Sequence, residues 1–277
     1  MKKFENIIIA SDLDGTFLSS ERTEVARNIE KIKYFTENRG IFTISTGRIF
    51  PHILAAAPNA REYVNAPVVS CNGMSLYDLR SDSAAKESFF DSEILAEIVN
   101  TVYADYPDTG FRGITRDGVV TFQPENSYIK SEMEALKTKT YIIEQRDLAN
   151  YKYHKLSFRD TPDVLAKIRA MLEERYEGRF NIFCSEDTIL EIQPLGMSKA
   201  TLLTELRDML SDGGDRKTLY AVGDYENDYE MLLAADVAVC PANALDKIKD
   251  ICDLCLCDND SGVIADLIEY IDKNTEV

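Results

Sequence analysis

The sequence predicts an α/β protein, a parallel-sheet core whose two halves are separated by an inserted α/β segment. Three observations carry this. Apolar strand runs alternate with helical patterns over the first eighty residues, the alternation returns after residue 194, and residues 85–193 between them follow a different rhythm. Strands separated by helical patterns imply right-handed crossovers and hence a parallel sheet.

The first strand is the apolar run Ile7 to Ala10 in "NIIIASDLDGTFL" (6–18). A helix follows in "TEVARNIEKIKYFTENRG" (23–40), where Val25, Ile29, Ile32, Tyr34 and Phe35 recur mostly at three-to-four spacing and Gly40 supplies a stop. "IFTIST" (41–46) and "APVVSCNG" (66–73) read as the second and third strands. The middle segment carries strand-like stretches such as "GVVTF" and "TILEIQP", with helical patterns over 92–104 and 162–176. "KATLLTELRDMLSDGG" (199–214) then predicts a helix, "TLYAVGD" (218–224) a strand and "NDYEMLLAA" (227–235) a helix. "VAVC" (237–240) and the short "LCLC" add strands, flanked by helical patterns in "ALDKIKDIC" and "GVIADLIEYIDK".

Composition narrows the function. Lys plus Arg number 31 against 48 Asp plus Glu, a formal net charge of −17. That balance argues against nucleic-acid phosphates and anionic membranes as partners, since both select basic surfaces. No apolar stretch approaches the roughly 18 residues of a membrane span, and the N-terminal run is too short for a signal-peptide core. The expectation is a cytosolic protein whose six cysteines are reduced thiols.

Ligand sites of open parallel sheets lie at the carboxyl ends of the strands. Asp12, Thr46, Asn72 and Asp224 each follow an apolar strand run, so four polar residues converge on one edge, which the inserted segment could cover as a lid. Residues i and i+2 of an extended strand share a side, so Asp12 and Asp14 both face a ligand there, with Gly15 permitting a tight turn. Two such carboxylates repel each other, and a small hard cation such as Mg²⁺ relieves the repulsion. Asp224 is the natural third anionic ligand, and Asp228 is close enough to join it or to position a ligand or water. Thr46 and Gly47 offer a hydroxyl and backbone N–H groups to phosphate oxygens, although taken alone the stretch reads sooner as a plain N-cap at a glycine turn; Arg48 adds a planar cationic fork. Lys199 opens a helix, where it could neutralise a phosphate.

"DLDGTFL" (12–18), "STGR" (45–48), "GMSKATLL" (196–203) and "GDYENDYEML" (223–232) stand in the order of the four motifs of the haloacid dehalogenase-like superfamily, which this chain resembles. "NGM" (72–74), "LEIQPLGMSKA" (190–200), "PANAL" (241–245) and "DSGVIADLIE" (260–269) are similar to its Cof-type phosphatase branch. The resemblance implies a Rossmann-like core, residues 1–84 and 194–277, with an α/β substrate-specificity cap at 85–193. It implies an Asp12 nucleophile, an Asp14 general acid and base, and Mg²⁺ held by the Asp12 side chain, the Asp14 carbonyl and Asp224, with Asp228 acting indirectly. It puts Thr46 and Lys199 on the phosphate, and Asn227 and Asn72 against phosphate or substrate. Phe17 and Ala200 depart from the branch's usual residues without removing a catalytic group.

The implied activity is Mg²⁺-dependent hydrolysis of a small phosphorylated metabolite such as a sugar phosphate, through an aspartyl-phosphate. A phosphomutase or phosphotransferase of the same superfamily and a non-catalytic metabolite-binding protein are the alternatives. A dinucleotide-binding protein fails for want of Gly-x-Gly-x-x-Gly after the first strand. His52 lies just beyond Arg48, His154 falls in the inserted segment, and Cys252, Cys255 and Cys257 read as core filling rather than a zinc site.

Overall fold

A computed structural model describes residues 3–136, 139–211 and 214–274. In chain order the elements are β1 (Ile7–Ser11), α1 (Ala26–Glu37), β2 (Ile41–Ile44), α2 (Phe50–Ala56), α3 (Ala60–Tyr63), β3 (Val68–Ser70), β4 (Ser75–Asp78) and β5 (Ser83–Glu87). Then come α4 (Ser92–Asp105), β6 (Gly110–Ile114), β7 (Val119–Thr121), α5 (Ser127–Leu136), β8 (Thr140–Ile142), β9 (Lys155–Arg159), α6 (Pro162–Arg175), β10 (Phe180–Glu186) and β11 (Ile189–Pro194). The chain continues through α7 (Lys199–Ser211), β12 (Thr218–Val222), α8 (Tyr229–Ala234), β13 (Val237–Pro241), α9 (Asp246–Lys249), β14 (Leu254–Leu256) and α10 (Val263–Asn274). Residues 212–213, within the expected helix 199–214, lie outside the described residues.

Two compact units result. The first comprises Met1–Arg48, Ile53–Lys86 and Ser198–Val277; the second comprises Ile49–His52 and Glu87–Met197. The sheet of the first unit runs β14-β13-β12-β1-β2, and its pairings are parallel throughout. β1 lies between β12 and β2, with Ile8, Ile9 and Ala10 fully buried, as expected of a strand covered on both faces. On one face, Ile8, Ala10, Leu219 and Ala221 pack against Leu202, Leu203 and Leu206 of α7, Met231 and Leu232 of α8, and Ile248 of α9. The alternate residue Ile9 pairs in register with Phe42, whose ring meets Phe17 and Tyr63, while α1 packs on α10.

The third strand departs from its expected place. β3 touches the parallel sheet through the single bridge Ser45 to Val69 and otherwise pairs antiparallel with β4. The turn at Cys71–Gly73 sends the chain straight back, which makes a hairpin the local solution.

The second unit is built on a six-stranded sheet, β10-β11-β9-β6-β7-β8, antiparallel except for β7 with β8. Leu95, Ile98, Val99 and Val102 of α4 and Leu165, Ile168 and Leu172 of α6 close over Phe111, Leu156, Phe158, Leu190 and Ile192 of that sheet. Asp91 caps α4, its Oδ1 accepting from the backbone N–H of Glu93 at 3.0 Å and of Ile94 at 3.1 Å. Alternation turns Lys155, Ser157, Arg112 and Glu191 to the other side of the sheet, where Lys155 Nζ donates to both Glu191 oxygens at 2.7 and 2.6 Å. His154, beside them in sequence, is buried, its Nδ1 3.0 Å from the Ser88 carbonyl. No described helix is long and apolar enough to cross a membrane.

Phe158 lies at the centre of that second core with no exposed surface. Phe158→Ala is expected to cost about 3–5 kcal/mol, read as a lowered urea midpoint with an unchanged m-value.

Candidate active site

The site forms where the chain changes direction across the first sheet. From β1 it goes first to β2 on one side, and only after the second unit does β12 arrive on the other, so a crevice opens at the carboxyl end of β1. Asp12 is still extended (φ −62°, ψ 164°), and its N–H donates to the Val222 carbonyl at 2.8 Å, which fixes it between β1 and β12.

The chain then turns sharply instead of running on as a strand. Leu13–Phe17 forms a five-residue turn closed by Leu18 N–H on the Leu13 carbonyl at 2.9 Å. Asp14 and Gly15 are non-helical within it, and Gly15 takes φ +75°, a left-handed conformation costly for other residues. A Cβ at Gly15 would stand 2.5 Å from Asp224 Oδ2, so only glycine lets this turn close on Asp224. Asp12 and Asp14 therefore differ sharply: Asp12 is 5 % exposed, whereas the Asp14 side chain is 44 % exposed. The expectation of two carboxylates side by side on an extended strand gives way to a turn that buries one and presents the other.

Lys199, the first residue of α7, has no exposed surface. Its Nζ donates to Asp12 Oδ1 at 2.6 Å and to Asp228 Oδ1 at 2.7 Å. Asp228 Oδ2 accepts the N–H groups of Asp224 at 3.0 Å and Tyr225 at 3.1 Å, so both of its oxygens are engaged in holding neighbours. Thr16 Oγ1 donates to Asp224 Oδ1 at 2.5 Å. Asp12 Oδ2 makes no hydrogen bond among the described residues, which leaves it available to act.

Electrostatics follows from this packing. Burial pushes the Asp12 carboxyl well above the usual carboxylate range; Lys199 opposes the shift and Asp228, Asp224 and Asp14 add to it. Burial and the charge of Asp228 push Asp224 up to about 7, partly offset by Thr16. Burial acts to lower the Lys199 pKa, but the charges and hydrogen bonds of Asp12 and Asp228 outweigh it and raise the pKa above the usual lysine range.

Carboxylate oxygens of Asp12, Asp224 and Asp228 lie within 4.8 Å of one another, and all three residues are buried. Three carboxylates around one ammonium leave a deficit of positive charge. The donors are hard oxygens with no thiol or imidazole among them, which suits Mg²⁺. With Asp228 committed to Lys199 and two amides, Asp12 and Asp224 are the residues with oxygen to spare for a cation.

The remaining expected residues gather at the ends of β2 and β3. Thr46 is buried; its N–H donates to the Val69 carbonyl at 2.8 Å and its carbonyl accepts Asn72 N–H at 3.0 Å. A Cβ on Gly47 would sit 3.0 Å from Asn72 Oδ1, and Asn227 Nδ2 donates to that oxygen at 3.2 Å. Cys71 and Asn72 both take left-handed φ, 52° and 53°, and Gly73 follows at 91°. Two consecutive non-glycine residues in that region store strain, which suits a turn that presents Asn72 at a defined place. Arg48 grips Asp14 with both ends of its guanidinium, Nε to Oδ2 at 2.7 Å and a terminal nitrogen to Oδ1 at 2.6 Å. The bidentate pair ties the "STGR" turn to the Asp14 turn.

Thr16 and Asn243, whose Nδ2 donates to the Gly15 carbonyl at 2.8 Å, also belong to the site. Both fall within the motif stretches, but nothing in their spacing signals a contact. His52 is buried on α2 and belongs to the second unit, and Cys252, Cys255 and Cys257 stand in and around β14.

Two outcomes are expected. Lys199→Met leaves two buried carboxylates without their cation and should cost about 3–5 kcal/mol in urea unfolding. In chelator, Asp224 holds its proton in the folded state up to about pH 7 but only to about 3.8 when unfolded. Folded protein then binds more protons between those values, so this group's contribution to stability falls as pH rises from about 4 to about 7. Asp224→Asn should therefore gain on wild type across that window in urea midpoints measured with EDTA, and a difference independent of pH would contradict the assignment.

A family model described as haloacid dehalogenase-like hydrolase matches residues 9–268. Among curated proteins, the HMP-PP phosphatase of Serratia proteamaculans is 26% identical over 249 residues, covering 88% of this chain and 86% of the relative. A 5-amino-6-(5-phospho-D-ribitylamino)uracil phosphatase of Bacillus subtilis is 24% identical, covering 95% of this chain and 97% of its own. Among solved structures, a HAD/COF-like hydrolase from Plasmodium vivax superposes with a TM-score of 0.84 at 22% identity, over 97% of this chain and 96% of that one. With the carboxylates and the lysine of its motifs assembled at the carboxyl end of β1, the chain belongs to the haloacid dehalogenase-like hydrolases.

Proposed function

We propose that this protein is a Mg²⁺-dependent phosphatase that hydrolyses a small phosphorylated metabolite, a sugar or polyol phosphate, through an aspartyl-phosphate on Asp12. The observation that carries the reading is Asp12 itself: a buried carboxylate with Oδ1 held by Lys199 at 2.6 Å and Oδ2 without a hydrogen bond among the described residues. Relatives named as phosphatases support the reaction class, and the 5-phospho-D-ribityl group in one of their names supports the substrate class.

Asp12 Oδ2 attacks phosphorus while the leaving oxygen takes a proton from Asp14, releasing the alcohol. Asp14 then removes a proton from water, which attacks the aspartyl-phosphate and regenerates Asp12 with inorganic phosphate. Asp14 is exposed enough to reach a leaving group, and an incoming phosphate would compete for Arg48 and loosen its grip on both carboxylate oxygens. Thr46, the Gly47 amide, the Arg48 guanidinium, Asn72 and Asn227 would hold the phosphate oxygens and position them for in-line attack, the main demand of phosphoryl transfer. Lys199 opposes the rise that burial imposes on the Asp12 carboxyl and holds it in orientation. Mg²⁺, held by Asp12, the Asp14 carbonyl and Asp224 with Asp228 acting indirectly, would supply charge neutralisation for the phosphate oxygens. Selection of the alcohol falls to the segment 85–193, the expected cap.

Phosphate release from a panel of phosphorylated metabolites tests the reading. Release should require Mg²⁺ and stop with EDTA. Asp12→Asn should abolish turnover while substrate binding persists, and Asp14→Asn should lower kcat about 10²–10⁴-fold. Ordinary turnover in Asp12→Asn would remove the nucleophile, and transfer of phosphate to a second hydroxyl rather than to water would move the protein to the mutases.

A further inference from the structure

Three carbonyls at the turn that carries Asp14 are held by asparagine side chains from three other parts of the first unit. Asn28 of α1 donates its Nδ2 to the Phe17 carbonyl at 3.3 Å, and Asn259, between β14 and α10, donates to the Leu18 carbonyl at 2.9 Å. Asn243, which follows β13, donates to the Gly15 carbonyl at 2.8 Å. Two of these side chains also accept: Asn28 Oδ1 takes Ala265 N–H at 3.0 Å, and Asn243 Oδ1 takes Asn259 N–H at 3.1 Å.

The three bonds do not share one reason. Phe17 and Leu18 have no exposed surface, so their carbonyls need a protein donor, and the buried Asn28 and Asn259 provide it. Gly15 is half-buried and Asn243 is exposed, so water is at hand to satisfy that carbonyl. The Asn243 bond therefore fixes a position that solvation alone would leave free. With Nδ2 and Oδ1 engaged at once, the amide cannot turn over without losing both bonds.

What it fixes is the backbone on the far side of Asp14. On the near side, Asp12 N–H is anchored on the Val222 carbonyl at 2.8 Å. Only Leu13 and Asp14 stand between the two anchored residues. The Asp14 side chain is gripped by Arg48, for which an incoming phosphate competes in the proposed reaction. The backbone anchors then remain to aim the carboxyl. Leu245 N–H donates to the Asp224 carbonyl at 3.1 Å, so the segment 242–245 also spaces the Asp14 turn against the Asp224 turn.

We propose that Asn243 is a positioning residue for proton transfer: by fixing the Gly15 carbonyl it aims Asp14 at the oxygen of the leaving alcohol. This role rests on the phosphatase reading, with Asp14 as its general acid. Asn243 exchanges no proton; the proton passes from Asp14 to the ester oxygen as the P–O bond breaks.

The test compares kcat/KM for an alkyl ester and an aryl ester in wild type, Asn243→Ala, Asp14→Asn and the double variant. The alkyl ester is ribitol 5-phosphate, or whichever sugar phosphate the metabolite panel ranks first, and the aryl ester is p-nitrophenyl phosphate. kcat/KM reports the steps up to departure of the alcohol, where an alkoxide needs a proton and p-nitrophenolate does not. Asn243→Ala should fall about 10²-fold further on the alkyl ester than on the aryl ester, the cost of a misplaced acid. Because Asn243 acts through Asp14, the double variant should fall no further than Asp14→Asn alone. Amide exchange in Asn243→Ala without substrate should quicken over residues 13–18, with the strands of the second unit unchanged.

An equal fall on both esters, an additive double variant or unchanged exchange over 13–18 would overturn the positioning role. If Asp14→Asn also fails to separate the esters, the general-acid reading falls and this role with it. If only Asn243→Ala fails to separate them, this role alone falls. Wild type that releases phosphate from neither ester overturns the phosphatase reading, and the exchange result still decides whether Asn243 holds the turn.

Discussion

One ammonium group organises the candidate site. Lys199 Nζ, without exposed surface, is shared by Asp12, 187 residues away along the chain, and by Asp228, 29 residues away. Burying a lysine is tolerable only when carboxylates repay its lost hydration, and burying two carboxylates this close is tolerable only around a cation. Each charge is thus the condition for the others. The arrangement demands that α7 begin at the carboxyl end of β1, with the turn after β12 closing from the far side.

The sheet order meets that demand. Because β1 has β2 on one side and β12 on the other, the turns that follow all three strands open at the same end. Glycines then permit approaches that side chains would block. Gly15 admits Asp224, and a Cβ on Gly223 would stand 2.5 Å from the Asp228 side chain. The acidic cluster is built by backbone turns at strand ends and by positions kept free of Cβ atoms, and the apolar layers of α7, α8 and α9 hold the strands that carry those turns.

Much of this is legible in the sequence because it is local. Ile7–Ala10 followed by Asp12 announces a buried strand with a polar end, and β2 and β12 show the same signature. α4 and α6 emerge from periodicity almost residue for residue. Other elements escape because their signals are weak or mixed: β5, "SAAKE", is polar and largely exposed, and β10 alternates poorly because it is a half-buried edge. The grip of Arg48 on Asp14 and the double duty of Asp228 are not legible, since each depends on distances between turns that only the folded sheet sets. Thr16 illustrates the difference: its place in "DLDGT" is plain, but its bond to Asp224 spans 208 residues.

Gly73 shows what such construction means for change over time. A Cβ there would fall 1.9 Å from the Ser198 carbonyl oxygen, so two backbones meet directly beside the residue that precedes Lys199. Side chains between segments act as cushions, because rotamers absorb small errors in position. No cushion exists at this contact. A lengthened loop or a single added methyl at 73 is passed undiminished to the start of α7 and so to the ammonium it carries. Drift can accumulate in the helices and the outer strands, but this junction admits almost none, and a designer transplanting other loops onto this scaffold would have to carry it over whole.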